Sequence, residues 1–451
     1  MGIGFSKKRI ILNLYQIITL TFLLIIFVGA VLLTLPFASK TFVSCGFLTA
    51  LFTAASAVCV TGLSVVDVWT QFSLFGQIVL IALVQIGGIG FMSIITILFH
   101  LTNHKESIQS LSLSAESLGL DDIGHIKRIQ KRLILGTFFF ESIGALVLFF
   151  CFIPSMGILN ALWFGIFHSV SAFCNAGFDL MGYFSPGVGL TYFNNKPAVL
   201  LTVSLLIVIG GIGFMVWDDV YTSKGPRNWT IYTKIVLSVT ASLIVLGTVF
   251  FFITEFRNNE TIGSMSFGNK LVNSLFQSVT TRTAGFASVD QGSLKDSSVA
   301  MTSILMMIGG SAGSTAGGVK TATFLILVKT LLSHLRGRKH VILMQRTITD
   351  DQILYAFTVT AGFALISTAG AFLVSFASNM NFLPAYFESI SALATVGLSL
   401  GITSSLSAVS RVIIIILMYL GRVGLLTLTL GFFKAKEDLA IKYPTTNIII
   451  G

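Results

Sequence analysis

A glycine-rich segment that ends in lysine is the first stretch of this sequence whose residue types could do chemistry. It reads MMIGGSAGSTAGGVKT from Met306 to Thr321 and contains five glycines. A loop of this composition can cradle phosphate when it follows a strand and has the spacing G-x-x-x-x-G-K-[ST]. Val319 separates the last glycine from the lysine, and apolar runs flank the segment on both sides. The spacing and the context therefore argue against a phosphate loop.

A second set of residues recurs four times and could bind a cation through the backbone. Each copy begins with Phe and reaches a Gly followed by Leu or Phe: FTAASAVCVTGLS, FHSVSAFCNAGFD, FQSVTTRTAGFAS and FESISALATVGLS. Glycine tolerates positive φ, which lets neighbouring carbonyl oxygens point the same way. A ring of such oxygens can replace the hydration shell of a cation. The candidate filter residues are Val60, Thr61, Gly62, Asn175, Ala176, Gly177, Thr283, Ala284, Gly285, Thr395, Val396 and Gly397.

A second marker follows each of these glycines and fixes the period of the repeat. IGGIGFM begins at Ile86 and again at Ile209, IGGSAG begins at Ile308, and LGRVGLL begins at Leu420. Two markers that recur in the same order about every 110 residues indicate tandem repeats. We expect four units, over residues 1–105, 106–222, 223–340 and 341–451.

The elements that position these residues are predicted to be membrane helices. The chain of 451 residues is 54% hydrophobic and only 10% charged, whereas soluble domains average about 25% charged residues. Each unit shows a long apolar span, a shorter segment of about 10–14 residues that is too short to cross a bilayer, and a second long span. The first spans are predicted at 11–36, 133–154, 232–254 and 353–377, and the second at 74–100, 196–220, 298–332 and 408–433. We expect an all-α polytopic membrane protein, with four helix–re-entrant loop–helix units around a pseudo-fourfold pore axis.

The net charge of +10 reflects membrane topology rather than nucleic-acid binding. Its basic residues cluster in short segments between the apolar spans, as in Lys127–Arg132 and Arg336–Lys339. Basic loops mark the cytoplasmic side. With two spans and one re-entrant loop in each unit, eight spans would leave both termini in the cytoplasm.

In the third unit the marker departs from its apolar form, and a broken helix is expected there. Several glycines close together destabilise a helix. Such a segment next to the filter could obstruct the ion path as a gate, or it could be a passive packing kink. The candidate gating residues are Gly309, Gly310, Ser311, Ala312, Gly313, Ser314, Thr315, Ala316, Gly317 and Gly318, together with Arg422.

Arg422 replaces the second glycine of the marker in the fourth unit. A charge within a span usually faces the interior of the bundle, so we expect Arg422 to contact carbonyls of the 309–318 loop. The alternatives are snorkelling or a pair with a buried acid such as Glu388 or Glu141. Arg282, three residues before its glycine, is expected to point away from the axis and to anchor its loop.

Acidic residues follow three of the four glycines and could concentrate cations at the outer mouth. Each could equally serve as a cap or as a solvated loop residue. They are Asp67, Asp179 and Asp290.

The fourfold pattern, with SAVCVTG, SAFCNAGF, TTRTAGF and ATVGL around single glycines, resembles the Trk/Ktr/HKT superfamily of potassium transporters over essentially the whole chain. Only one span precedes Gly62, a layout similar to that of KtrB-type subunits. The resemblance implies potassium selectivity with sodium-stimulated uptake, so that potassium and sodium are transported or coupling ions and no cofactor is covalently bound. It further implies an intramembrane gate at the 309–318 loop. The implied setting is a bacterial cell membrane, in which a homodimer sits on a cytosolic RCK ring of the KtrA or KtrC kind that binds adenine nucleotides.

Two other classes of protein fit the sequence less well. An intramembrane enzyme would need clustered titratable residues within its spans, and the six histidines form no ligand motif. A secondary transporter with broken helices shows twofold or inverted repeats rather than four parallel ones. The sequence therefore favours a channel-like translocation subunit.

Overall fold

The architecture comes from a computed structural model that describes residues 14–90, 126–223, 225–338 and 340–424. Within these residues the regular structure is almost entirely helical. The helices are α1 (Leu14–Thr34), α2 (Phe47–Val58), α3 (Leu74–Ile89), α4 (Ile126–Phe173), α5 (Pro197–Gly211), α6 (Phe214–Thr222), α7 (Ile231–Glu255), α8 (Phe267–Thr280), α9 (Asp296–Met307), α10 (Thr321–Leu335), α11 (Asp350–Ser378), α12 (Phe382–Leu393) and α13 (Ala408–Val423).

Short elements occupy the connecting loops. One hairpin pairs β1 (Ile342–Leu343) antiparallel with β2 (Arg346–Thr347), a small addition to the all-α prediction. A one-turn helix and several 3₁₀ turns lie at Val68–Gln71, Pro36–Ala38, Met181–Tyr183, Gly189–Phe193, Pro226–Asn228, Gln291–Ser293 and Thr403–Ser405.

Four helices in the described part of the chain are long and apolar enough to cross a membrane: α1, α4, α7 and α11. Each is the first span of one sequence unit. Their outer faces carry exposed large apolar side chains; Phe376 on α11, for example, is 90% exposed. Such surfaces suit a lipid solvent, so the chain is a multi-pass membrane protein.

The short helices α2, α8 and α12, and the part of α4 that follows Gly157, lie between the two spans of their units. In α4 the first span and the short helix join without a loop, and the chain bends where Gly157 has φ 76°. The second helix of each unit also contacts the short helix of the next unit: α3 with α4, α5 with α8, α9 with α12, and α13 with α2. The last of these contacts closes the four units into a ring.

The second spans of units two and three are interrupted within the described residues; the interruption in unit three agrees with the prediction, whereas the one in unit two was not predicted. The span predicted at 196–220 is two helices, α5 and α6, bent by 89°. The span predicted at 298–332 is interrupted between α9 and α10. Helices α3 and α13 end just before Gly90 and Gly424, whose φ values are 87° and 89°.

The reason for these breaks lies in the marker glycines. Gly90, Gly213 and Gly424 occupy the same place in their markers, and all three have positive φ, which ends a right-handed helix. In units one, two and four, therefore, the described helix ends at or shortly before this glycine. The remainders of the spans predicted at 74–100 and 408–433, both termini and most of segment 101–132 lie outside the described residues.

Candidate functional site

The four repeat glycines form a closed ring. A Cβ placed on Gly62 would lie 2.4 Å from the carbonyl oxygen of Ala176, and one on Gly177 would lie 2.6 Å from that of Ala284. The same relation holds from Gly285 to Val396, at 2.3 Å. It also holds from Gly397 back to Thr61, at 2.1 Å. Each glycine therefore abuts the backbone of the next unit, and any larger side chain would collide with it.

The backbone of the ring has the same conformation in all four units. The residue two positions before each glycine has positive φ: 56° at Val60, 59° at Asn175, 68° at Thr283 and 52° at Thr395. Left-handed conformation is uncommon for residues other than glycine and costs free energy. Four such residues at equivalent positions are supported by the surrounding packing, and they turn the chain in the same way around one centre.

The sequence interpretation overlooked a side-chain hydroxyl group in each copy of the repeat. This hydroxyl forms a hydrogen bond with the backbone at or just after the ring glycine, and the backbone around that glycine is called the ring segment. The hydroxyl lies four residues after the opening Phe in every copy. The Oγ atoms of Ser56 and Ser391 each accept the N–H of their own ring glycine at 3.0 Å. Ser171 and Thr280 instead donate to the carbonyl that follows the glycine, both at 2.7 Å. A comparison of the four aligned copies could have found this hydroxyl, because only Ser or Thr occurs at that position.

On one side of the ring, the residues that follow the glycines line an open funnel of about 500 Å³. Asp67, Asp179 and Asp290 all line it. They also make the capping bonds of the alternative interpretation: Asp67 accepts the N–H of Thr70 at 2.9 Å, and Asp290 accepts that of Gly292 at 3.1 Å. The carboxylates are thus held in place at the funnel wall by backbone donors.

Asp179 is the member of this group whose pKa is shifted. One carboxylate oxygen accepts the N–H of Met181 at 2.8 Å. Burial raises the pKa of Asp179 to about 6, and the neighbouring charge of Asp67 acts in the same direction. This loop residue, outside the spanning helices, therefore changes charge close to neutral pH.

On the other side of the ring, the marker glycines let the second helices pack against the ends of the short helices. A Cβ on Gly87 would lie 2.1 Å from the carbonyl oxygen of Val58, and one on Gly210 would lie 2.0 Å from that of Phe173. Gly421 has the same relation to Leu393, at 1.9 Å. In unit three the neighbour of Gly309 is instead the carbonyl oxygen of Gly317, at 1.8 Å. The chain of unit three has folded back on itself at this point.

Where the chain of unit three folds back, residues 308–320 form a non-helical loop, which we call the crossing loop. Its ends are tied by a parallel bridge between Ile308 and Val319, with Gly309 N–H donating to the Val319 carbonyl at 3.0 Å. The predicted interruption of the third unit thus lies between Met307 and Thr321, where α9 ends and α10 begins.

The crossing loop touches unit two through its backbone. Ser311 N–H donates to the carbonyl of Gly211 at 3.1 Å, and Phe214 N–H donates to the carbonyl of Gly313 at 2.9 Å. The Thr315 hydroxyl donates to the carbonyl of Phe173 at 3.4 Å. These bonds use backbone groups that the bend between α5 and α6 leaves free.

The crossing loop also touches unit four. A Cβ on Gly317 would lie 2.2 Å from the Thr395 hydroxyl oxygen and 2.7 Å from the Ala394 carbonyl oxygen. Because Thr395 lies two residues before its ring glycine, the loop packs directly against the ring segment. It therefore lies across the ring on the side opposite the funnel.

Arg422 joins the crossing loop to unit one. Its Nη1 donates to the carbonyl of Thr315 at 2.6 Å, and its Nη2 donates to the carbonyl of Gly87. The two buried acids considered as partners are engaged elsewhere: Glu141 accepts from Gln85 at 2.9 and 3.1 Å, and Glu388 accepts from the Thr403 hydroxyl. The guanidinium therefore bonds backbone oxygens of two different units.

Two further cations lie at the same level. Arg282 donates to the carbonyl of Gly309 at 3.0 Å and is buried. Lys320, which sequence interpretation considered only as part of a phosphate loop, donates to the carbonyl of Ala316 at 2.7 Å. Among the described residues, none of the three cations Arg282, Lys320 and Arg422 forms an ion pair with a carboxylate. The region on this side of the ring is consequently positive.

A closed backbone ring with an acidic funnel on one side and three cations on the other suits a membrane protein that interacts with cations. The family model described as cation transport protein, TrkH, matches residues 7–442. The chain belongs to the TrkH family of cation transport proteins, a family of transporters rather than enzymes.

Individual relatives agree with this placement. The Ktr system potassium uptake protein B of Bacillus subtilis is 37% identical over 436 residues, which cover 97% of this chain and 96% of the relative. The potassium/sodium uptake protein NtpJ of Enterococcus hirae is 36% identical, with 99% of both chains covered. The crystal structure of the potassium transporter TrkH from Vibrio parahaemolyticus superposes with a TM-score of 0.76 at 18% identity, covering 95% of this chain and 86% of that one. That likeness shows a shared fold.

Proposed function

We propose that this chain is the potassium-translocating membrane subunit of a Ktr-type uptake system and that the glycine ring is its selectivity filter. The observation that carries the proposal is the closed ring itself. Each ring glycine abuts a carbonyl group of the next unit, and that carbonyl belongs to the residue just before the ring glycine of that unit. The names of the relatives from Bacillus subtilis and Enterococcus hirae support potassium as the ion.

In this proposal the filter binds the ion through main-chain oxygens. The side chains at equivalent positions differ from unit to unit, as at Val60, Asn175 and Thr283, whereas the backbone conformation is shared. Carbonyl oxygens can replace the hydration shell of potassium. The four short helices act as re-entrant pore helices, and each ends in the ring, so the negative ends of their dipoles favour a cation there.

The crossing loop acts as the gate. It packs against the ring on the side opposite the funnel, where Gly317 contacts Thr395. Arg422 bonds the loop in this position and adds positive charge to the ion path. Opening requires the loop to leave the path, and its many glycines permit the change in backbone conformation.

Control of the gate is assigned to a cytosolic RCK ring of the KtrA or KtrC kind that binds adenine nucleotides. The loop continues directly into α10 (Thr321–Leu335) and the β hairpin that follows it. A partner that moves this segment would pull on the loop. The proposal further includes a homodimer in the bacterial cell membrane, cytoplasmic termini, and sodium as a coupling ion. The last point is supported by the similarity to the potassium/sodium uptake protein NtpJ.

The test is ion uptake in bacteria that lack their own potassium systems. Wild type, supplied with a ring subunit, should restore growth at low potassium, and Gly62→Ser should lose discrimination against sodium. The substitution places a side chain against the Ala176 carbonyl and at a φ of 93°. A wild-type chain that accumulates in the membrane and does not transport potassium would overturn the proposal.

A further inference from the structure

Each short helix carries a polar residue directly after the opening Phe of its repeat. In three units this side chain reaches the loop that follows the ring glycine of the same unit. All four side chains are buried, with exposed fractions of at most 2%. The four residues are Thr53, His168, Gln277 and Glu388.

The three contacts differ in chemistry and agree in geometry. His168 accepts the N–H of Leu180 on Nε2 at 3.3 Å, while its Nδ1 lies 2.7 Å from the Phe164 carbonyl oxygen. Gln277 and Gln291 exchange two amide hydrogen bonds, at 2.7 and 3.1 Å.

In unit four the Thr403 hydroxyl donates to Oε1 of Glu388. Every partner lies three to six residues after the ring glycine, on the funnel side. We call these three contacts the outer latches.

Unit one lacks an outer latch and is held differently. The Thr53 hydroxyl donates to the carbonyl of Thr49 in its own helix, at 2.9 Å. The loop of unit one is bonded instead to unit two, where Asp67 accepts the N–H of Gly187 at 3.1 Å. The funnel edge of unit one therefore takes its position from its neighbour, and units two, three and four take theirs from their own helices.

We propose that the outer latches are positioning contacts that set the width of the ring and so determine its discrimination between potassium and sodium. The proposal rests on the filter function above. Each ring segment is braced on one flank by the hydroxyl at the end of its short helix, as with Ser391 and Gly397. In units two, three and four the latch also fixes the loop that follows the ring glycine, so the carbonyls of the ring cannot draw inward around a smaller ion.

The geometry of unit four makes the best experiment. Thr403→Val keeps the shape of the side chain and removes its hydroxyl, which donates to Glu388 and also lies 2.9 Å from the Ser399 hydroxyl oxygen. Thr403→Ser restores the hydroxyl. Ser405→Ala is the matched control, because the Ser405 hydroxyl is exposed and bonds only the Ile402 carbonyl in the same turn, at 2.8 Å. Initial potassium and sodium uptake are measured for each variant at equal membrane abundance.

The potassium-to-sodium uptake ratio should fall about fivefold in Thr403→Val, the effect of one net hydrogen bond of about 1 kcal/mol. It should return to the wild-type value in Thr403→Ser and remain unchanged in Ser405→Ala. A lower total uptake at an unchanged ratio would indicate a merely structural contact and overturn the proposal.

Gln291→Met applies the same test to unit three and is used if Thr403→Val does not accumulate. If wild type itself does not transport potassium, the filter function fails. If wild type is selective and both variants keep its ratio, only the latch proposal fails.

Discussion

The Nη1 atom of Arg422 lies 2.6 Å from the carbonyl oxygen of Thr315, so a residue of the fourth unit holds the middle of a loop from the third. The same guanidinium reaches the Gly87 carbonyl of the first unit. One side chain thus fastens the crossing loop to two other quarters of the molecule.

Removing this side chain should favour the open gate. We expect Arg422→Ala to raise potassium uptake in the absence of activating nucleotide by about tenfold, because a hydrogen bond to a charged group contributes about 1.5–3 kcal/mol to the arrangement that contains it. Uptake in membrane vesicles with and without nucleotide measures the effect. Arg411→Ala is the control, since Arg411 lies at the start of the same helix and bonds the Leu406 carbonyl instead, at 3.0 Å. Unchanged basal uptake in Arg422→Ala would contradict the gating role.

The contact between the crossing loop and the ring offers a second way to favour the open gate. In Gly317→Ala the new methyl group would lie 2.2 Å from the Thr395 hydroxyl oxygen, so the closed position of the loop becomes strained. Overpacking of this kind costs about 1–3 kcal/mol. We expect basal uptake to increase several-fold, and Thr395→Ala in the same chain to reverse part of the increase. An absence of any coupling between the two substitutions would show that the loop does not rest on the ring segment during transport.

The marker glycines make a prediction about stability. Gly421→Ala places a methyl group 1.9 Å from the Leu393 carbonyl oxygen, which should lower the free energy of unfolding by about 1–3 kcal/mol. Gly268→Ala is the control, because a Cβ at that exposed helix position meets nothing within 4 Å and alanine is the better helix former. Thermal unfolding of the purified protein should therefore shift downward for the first variant and not for the second. Equal midpoints would argue against close packing at the marker.

The raised pKa of Asp179 predicts that ion uptake depends on pH. Its pKa is raised to about 6, so the carboxyl group gains a proton as the pH on the funnel side falls through that value. The funnel then loses negative charge, and uptake at low potassium should decrease between about pH 7 and pH 5. Asp179→Asn should have low uptake throughout and a flatter profile. A wild-type profile shared by the variant would assign the dependence to another group.

The direction in which protonation of Asp179 changes the stability of the fold separates its effect on ion uptake from acid unfolding. Because folding raises this pKa above the ordinary value of 3.8, the native state binds the proton more tightly than the unfolded chain does. The contribution of Asp179 to stability is therefore greatest at low pH and is lost as the pH rises through about 6. Lower uptake at pH 5 would thus accompany a more stable funnel wall, which thermal unfolding at the two pH values can check.

The sequence could predict the interruption of the third unit, because the local composition of the marker changes there; the division into four units stays a prediction. The sequence could not predict the break in the second span of unit two. Glycine at position 213 allows positive φ and does not require it, and the bend there is accompanied by backbone bonds to unit three, from Ser311 to Gly211 and from Phe214 to Gly313. The repeat register could predict that Arg422 contacts a carbonyl of the 309–318 loop. It could not predict the second partner, the Gly87 carbonyl, because that contact depends on the closure of the ring between units four and one.

The contact of Gly397 with Thr61 has a consequence for how this molecule can change over generations. It joins the last quarter of the ring to the first within one polypeptide, so each quarter of the ring has its own codons. In a homotetramer a single nucleotide change alters all four quarters at once. Here one quarter can exchange a helix for a loop and another can acquire an arginine, while the remaining quarters keep their original lining.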